Sequence, residues 1–568
     1  MDYVGKIKEK VRDGSLREMW CETKWMFTYI RRYRLAVFVH ILLGMSGTVM
    51  SLLSSLAMKK LVDVVTGFDT GGIVSAACLM VGLMLGGIVM QALASRIAAI
   101  INIRVQNGIQ LEVYDRMLRT DWAQIEKFRS GDLINRLNGD VNAVAAGVTS
   151  FLPSFVTGTV QFVGSFVIIL CYDAVMALIV FIAAPLSVVL SRALVGKMRE
   201  YNRRMKEISS QVMSFHEDSF RNLTSLKAFG IMDVFSARMR SIQEVYRKAF
   251  LEYNQFSVLV GALVSAIGLC VTVGCFGWGV YRLWTNAISF GTMTMFLQLT
   301  GMLRGAFSSL IGLVPLAISV TTSAGRLMAV IELPPEPGVD EAEEIPEGCT
   351  VKLENVSFGY ASGEKVLENV DFEAHPGEFV AITGASGEGK TTMIRLMLGL
   401  IRPDEGRALL LSGDWETELS ASTRRAFAYV PQGNTVMAGT IAENLRMVNE
   451  SASDAELLQA LELACALDFV SALPGGINSP AGEQGKGMSE GQAQRIAVAR
   501  ALLRHAPVLL MDEASSALDE QTERKMLDNI RSSGWVSTCI IISHRPAGAA
   551  LCDRRYRLEG ARLTAEKQ

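Results

Sequence analysis

Long apolar runs alternate with polar, charged stretches over the first 330 residues or so. The runs cover residues 35–58, 73–94, 148–170, 174–190, 256–280 and 290–318. The first five contain no Asp, Glu, Lys or Arg, and the sixth holds a single charge, Arg304. A helix of about 20 apolar residues matches the hydrocarbon core of a bilayer. The pattern therefore predicts six membrane spans. The competing explanation is buried helices of a large soluble protein, and six such runs in one half of a chain argue against it.

The connections alternate in length. Runs one and two, three and four, and five and six are joined by short segments such as VTGFDTGG and CYD. The other two connections, about residues 96–140 and 191–255, are long, charged and helix-prone. RRYR at 31–34 and the second long connection are rich in Lys and Arg, which places the N-terminus and both long connections in the cytoplasm. Lys59 and Lys60, at the opposite end of span one, count against that orientation. A helix from about residue 72 to 118 would be about 70 Å long, roughly twice the hydrocarbon thickness. The long connections thus predict helices that run past the membrane, turning near residues 121–131 and 214–220. The polar, charged opening MDYVGKIKEKVRDG predicts an amphipathic helix on the cytoplasmic membrane face rather than a cleaved signal.

At residues 333–348 the chain reads LPPEPGVDEAEEIPEG, a Pro- and Glu-rich break. Beyond it, short β-rich runs (VKLENVSF, EFVAITG, AFAYVPQ, VLLMDEA, CIIISH) alternate with helical patterns. The expected organisation is a membrane domain over 1–332, a linker over 333–348 and an α/β domain over 349–568. Composition agrees with it. Half of the 568 residues are hydrophobic and the mean hydropathy is +0.29. The net charge of −2 gives nucleic-acid binding no support. Nine cysteines without CxxC spacing and five scattered histidines argue against a disulfide framework or a zinc site.

The chemistry concentrates in the second half. GASGEGKT (Gly384, Ala385, Ser386, Gly387, Glu388, Gly389, Lys390, Thr391) fits GxxxxGK[ST], follows an apolar strand and opens a helix that continues with Thr392. Such glycines let backbone N–H groups approach phosphate oxygens; Lys390 can pair with the β/γ-phosphates and the Thr391 hydroxyl can ligate Mg²⁺. VLLMDE ends a strand in Asp512, suited to face Mg²⁺, and Glu513, suited to polarise an attacking water. Gln432, after the strand AFAYVP, could touch both the metal ion and that water. His544 ends the strand CIIIS and could contact the γ-phosphate. Tyr360, before the P-loop, could stack on adenine. Singly, each of these last three is ordinary, and the order in which they occur is what gives them weight. A second glycine-rich loop, GKGMSEGQAQR at 485–495, has the look of a phosphate cradle without a lysine.

In that order the chain resembles the ABC ATPase family over almost all of residues 351–560. The resemblance assigns Tyr360 to the adenine-stacking loop, residues 384–391 to Walker A and Gln432 to the Q-loop. It makes Ser489, Glu490, Gly491 and Gln492 the signature loop, and Asp512 and Glu513 the Walker B acid and catalytic base. It places Asp519 in the D-loop SALD, makes His544 the switch histidine, and likens AGEQG at 481–485 to the exporter loop that contacts the membrane domain. The first half resembles the type I (type IV fold) exporter membrane domain, with family-like stretches at 126–141, 212–230 and 323–334. The expected fold is therefore multidomain: an all-α six-helix transmembrane domain plus an α/β P-loop ATPase domain. One departure stands out, Glu490 where the family has glycine.

The resemblance implies Mg²⁺ and ATP as ligands and a dimer, because each ATP is closed by the signature loop of a second ATPase domain. The partner would be a second copy or a homologous half-transporter in a bacterial inner membrane, with the ATPase domain in the cytoplasm. Export by alternating access is the leading expectation; import on the same fold, an ATP-gated channel and a regulatory membrane ATPase are the alternatives. The cargo is open among lipids, amphipathic drugs and peptides, and nothing before the first span suggests a peptidase domain for leader cleavage. Arg304, Gln161, Gln298 and Thr300 are the polar candidates within the spans, and Pro153, Pro185 and Pro315 are candidate helix kinks.

Overall fold

The computed structural model describes residues 24–566 except 27, 30, 68–70, 129, 180–196, 198–199, 202–203, 206–207, 210, 221, 340–343, 347, 361–364, 434, 482–487 and 544–545. The chain forms two compact units. One comprises residues 1–113 and 134–329, the other residues 114–133 and 330–568.

The first unit is helical. Its main helices are α1 (Arg34–Thr66), α2 (Ile73–Arg119, which extends into the second unit), α3 (Val141–Tyr172), α4 (Met232–Trp284) and α5 (Phe290–Ile331). Among the described residues, three helices are long and apolar enough to cross a membrane: α1, α2 and a third over 131–172 that includes α3. The expected long helix is observed, since α2 runs for 47 residues. The fourth apolar run and the expected N-terminal helix lie largely or wholly outside the described residues.

Helices in lipid pack by close approach rather than by hydrophobic exclusion, so small residues mark the seams. A Cβ on Gly147 of α3 would fall 2.5 Å from Val320 of α5, and one on Gly164 would fall 2.5 Å from Leu52 of α1. Pro153 is buried within α3. Ile169, Met295, Phe296 and Leu299 are buried where α3 and α5 meet. Ion pairs sit at the ends joined by short connections. Asp63 accepts from Lys59 at 3.0 Å and from the Gly291 N–H at 2.9 Å, and Asp173 accepts from Arg282 at 2.9 Å. Lys59, which counted against the expected orientation, thus has a carboxylate partner four residues along its own helix.

The second long connection turns slightly later than the sequence suggested. Residues 211–220 are still helical, a short helix follows over Leu223–Ala228, and α4 begins at Met232. Gly230, at φ 65°, supplies the left-handed backbone that the reversal needs.

The second unit holds two sheets. A four-stranded antiparallel sheet has the order β2 (Lys365–Ala374), β1 (Thr350–Gly359), β4 (Glu405–Ser412), β5 (Trp415–Glu418). A six-stranded sheet has the order β10 (Arg562–Glu566), β9 (Arg554–Glu559), β3 (Phe379–Gly384), β8 (Thr538–Ile542), β7 (Val508–Asp512), β6 (Phe427–Val430). Its five strands from β9 to β6 run parallel, and β7 and β8 are buried along their whole length. Parallel strands covered on both faces read as continuous apolar runs, as VLLM and CIII do. Helices α6 (Lys390–Met397), α7 (Glu490–Leu502) and α8 (Glu520–Ser533) follow. Loops at the carboxyl ends of parallel strands are the usual ligand crevice of such a sheet.

Residues 114–133 belong to this second unit. A short helix over Trp122–Ile125 is capped by Asp121, whose side chain accepts from the Ala123 N–H. The Asp121 N–H donates to Pro334 O and the Glu336 N–H to Arg119 O. Glu336 in turn pairs with Arg424.

Candidate nucleotide site

The P-loop connects β3 to α6 and needs glycine for reasons of space as well as backbone. Gly384, Gly387 and Gly389 have φ of 152°, 88° and 103°. A Cβ on Gly384 would lie 2.5 Å from Leu558 O, and one on Gly389 would lie 2.8 Å from Val366. Ala385, Ser386 and Gly387 are exposed at the crest of the loop. The Lys390 ammonium folds back onto the loop, donating to Gly384 O at 3.0 Å and Ala385 O at 2.6 Å. Glu388 accepts from the Ala385 N–H at 3.0 Å. Burial pushes the Lys390 pKa down, while the negative charges of Glu513, Glu388 and Asp512 partly oppose that shift. Thr391 is exposed and Thr392 buried at the start of α6.

Across from this loop, β7 delivers Asp512 and Glu513. Asp512 is only 3% exposed. Burial, then the charge of Glu513, raises its pKa, against the hydrogen bond from Tyr429 and the charges of Lys390 and Arg395. Glu513 has φ 50°, a left-handed conformation that is costly for a side chain with a Cβ and that clusters at functional sites. Its carboxylate accepts from the Gln432 amide Nε2 at 2.6 Å. The structure therefore brings Lys390, Asp512, Glu513 and Gln432 together. His544 lies outside the described residues.

Of the second glycine-rich loop, Met488 onward is described and leads into α7, whereas residues 482–487, with most of AGEQG, lie outside the described residues. Ser489 caps the helix: its hydroxyl accepts from the Gln492 N–H at 3.2 Å, and the Gln492 side chain accepts from the Ser489 N–H at 2.9 Å. This reciprocal capping box fixes the entry angle of the helix. Glu490 is exposed, and Gly491 is buried where a Cβ would fall 2.9 Å from Ala517 O. Sequence reasoning missed Gln494. Its buried amide donates to the Ser516 hydroxyl at 3.2 Å and accepts from the Ala517 N–H at 3.1 Å, tying α7 to the 516–519 loop. A signal was present, because a glutamine on the apolar face of a helix needs a buried partner. Asp519 caps α8, accepting from the Thr522 N–H and hydroxyl, and these bonds lower its pKa.

Tyr360 stands after β1 with its ring edge-on to Phe358, centroids 5.0 Å apart. Its hydroxyl lies 3.4 Å from the Thr392 hydroxyl and accepts from Arg395 at 2.9 Å. Arg395 also lies over the Trp122 ring at 4.5 Å and 3.7 Å from Glu126. Neither the sequence pattern nor any motif singled out Arg395, whose three neighbours come from distant parts of the chain. In the helical unit, Arg304 packs against Gly268 on α4 and has no ion-pair partner among the described residues.

The fused arrangement of a helical membrane unit and this P-loop ATPase defines the class, and the chain belongs to the ABC transporters. Residues 37–307 match the ABC transporter transmembrane region family and residues 367–516 match the ABC transporter family, in one chain. It is 27% identical over 551 residues to an export ATP-binding/permease protein of Rickettsia bellii, covering 94% of each chain. It is 26% identical to a multidrug resistance ABC transporter ATP-binding and permease protein of Lactococcus lactis, over 93% of this chain and 89% of that one. A bacterial Atm1-family ABC exporter with ATP bound superposes with a TM-score of 0.81 at 25% identity, over 94% of this chain and 95% of that one. The protein is thus a membrane-embedded half-transporter of the exporter type, which binds nucleotide and couples ATP hydrolysis to transport.

Proposed function

We propose that the protein is a homodimeric exporter of an amphipathic, lipid-like or peptide-like cargo, with two composite ATP sites and alternating access. The observation that carries the catalytic part is the bond from Gln432 to a left-handed Glu513 beside Lys390. In this reading Glu513 takes the proton of the water that attacks the γ-phosphorus as ADP leaves, and Gln432 aims its carboxylate. Gly384, Ala385, Ser386, Gly387, Glu388 and Gly389 shape the phosphate loop, Lys390 supplies the point charge and Tyr360 stacks on adenine. His544 is assigned the γ-phosphate contact from its place in the sequence.

The donor set fits a hard cation. The Thr391 hydroxyl, the Asp512 carboxylate and the free amide oxygen of Gln432 are all oxygen ligands. Burial and then the charge of Glu513 raise the Asp512 pKa, and the paired negative charges also favour a cation there. Mg²⁺, when bound, would neutralise charge developing on the phosphates.

One P-loop leaves the far side of the γ-phosphate open, and electrostatic surround is the main source of catalysis for phosphoryl transfer. Ser489, Glu490, Gly491 and Gln492 of a second copy would close it, with the α7 dipole aimed at the phosphates. Asp519 would hold the turn of the loop beside them. Closure of the two ATPase units would then swing the helical units from inward to outward access. The relatives' names, export and multidrug resistance, support the outward direction. We place the protein in a bacterial inner membrane with the ATPase unit in the cytoplasm, as the Lys- and Arg-rich long connections favour.

The test is Glu513→Gln in the purified dimer. It should bind ATP and lose steady-state hydrolysis, and normal turnover would overturn the assignment. ATP-dependent accumulation of a fluorescent amphiphile by inside-out vesicles reads the direction; loss from them would mark import.

A further inference from the structure

The helical unit contains a cavity of about 610 Å³ between α1, α2, α3 and α5. That is the size of a small-ligand site. Its lining is mainly apolar but carries several hydrogen-bonding groups. Three amides, Gln91, Gln161 and Gln298, come from three different helices, and the hydroxyls of Thr48, Ser51 and Ser95 join them.

The depth of these groups makes them costly. Counted from the short-connection ends of their helices at about 1.5 Å per residue, Gln298 lies about 12 Å in, Gln161 about 17 Å and Gln91 about 27 Å. With a hydrocarbon core of about 30 Å, all three lie at membrane depth. An amide there needs a hydrogen-bond partner. Gln161 has a long contact to Met302 O at 3.5 Å, and the side chains of Gln91 and Gln298 have no hydrogen-bond partner among the described residues. The hydroxyls of Thr48 and Thr300, by contrast, are satisfied within their own helices, on Gly44 O and Phe296 O.

The cavity has no charged lining residue, which restricts what it can hold. An ion would enter without a counter-charge. Arg304, two residues beyond the lining Met302, is not among the residues that line it. Amides donate and accept, so they match a group that also does both.

We propose that this cavity is a cargo subsite for an uncharged, hydrogen-bonding group, such as a sugar hydroxyl cluster or a neutral amide. The proposal rests on the transporter reading above and names the chemistry of its cargo.

The test uses the full-length dimer in lipid nanodiscs, with ATPase stimulation read as the stimulated-to-basal ratio. The probes are dodecyl maltoside, maltose, dodecyl sulfate and dodecyl trimethylammonium, the last three supplying the chain-free and charged comparisons. Stimulation by dodecyl maltoside is expected at concentrations at least tenfold lower than by either charged probe. Stimulation by maltose as well would assign the site to free polar solutes, and its absence to amphiphiles with neutral heads. The triple variant Q91L/Q161L/Q298L should raise the half-maximal dodecyl maltoside concentration at least tenfold. Ala92→Phe, which adds bulk to the cavity while keeping all three amides in the sequence, should do the same. A diazirine-bearing dodecyl maltoside should label residues 83–95 and 298–302. Equal response of wild type and both variants, or stronger stimulation by a charged probe, would overturn the proposal. Loss of all ATP hydrolysis in the wild-type protein would instead overturn the transporter reading.

Discussion

Gln432 donates to Glu513 across 2.6 Å, joining the loop after β6 to the carboxylate that follows β7. The contact fixes one oxygen of the proposed base. Gln432→Ala should lower kcat about ten- to a hundredfold while changing KM for ATP much less, because the lost interaction acts on the transition state. Gln432→Glu should be worse, since it sets a second carboxylate against Glu513. Steady-state ATPase assays of the two variants separate these effects, and a pure KM change would contradict the positioning role.

The buried acid Asp512 makes a prediction about pH. Burial and the neighbouring Glu513 raise its pKa above the ordinary carboxylate value. The folded state therefore holds the proton more tightly than the unfolded state does. The stabilisation from that proton is complete below the ordinary value and is lost as pH rises through the raised one. At neutral pH the nucleotide-free protein thus carries the cost of a buried ionised acid. Asp512→Asn should raise its thermal midpoint at pH 7.5 by a few degrees, the gain shrinking toward pH 4, while metal-dependent ATP hydrolysis is lost. Calorimetry across pH checks it, and a lower midpoint at neutral pH would contradict it.

Arg395 spans three groups: the Tyr360 hydroxyl, the Trp122 ring and Glu126. A cation over an indole ring contributes about 0.5–2 kcal/mol, depending on how dry the site is. Arg395→Ala should free Tyr360 and raise KM for ATP several-fold. Arg395→Lys should recover less than half of the loss, because a point charge cannot bond the hydroxyl and lie flat on the ring together. Mant-ATP titration measures the change. Unaltered affinity in Arg395→Ala would show that Tyr360 is held without it.

The sequence made some of this legible and left the rest hidden for identifiable reasons. The P-loop could be read directly, because Gly384 and Gly389 are demanded by local backbone geometry and close approach. Asp512 and Glu513 were readable because a fully buried parallel strand is a continuous apolar run that ends abruptly in charge. Arg395 was not, since its partners lie 35 and 273 positions away, and the signal at Gln494 calls for a buried partner without naming the loop that supplies it. Ser489 was read only as a phosphate contact, and the structure adds its capping of α7. Gln161 and Gln298 stood out singly as polar residues in apolar runs. That they share one cavity with Gln91 depends on how four helices pack, which no single run encodes.

In the proposed dimer each ATP is held by the P-loop of one copy and the Ser489 loop of the other. Two linked dimers test it most directly. One carries Lys390→Ala and Ser489→Arg in different copies, the other carries both substitutions in the same copy. If the sites are shared between copies, the first arrangement places both defects in one site and leaves the other whole, whereas the second damages both. Measurable ATP hydrolysis is expected from the first dimer and background hydrolysis from the second. The reverse pattern would contradict it.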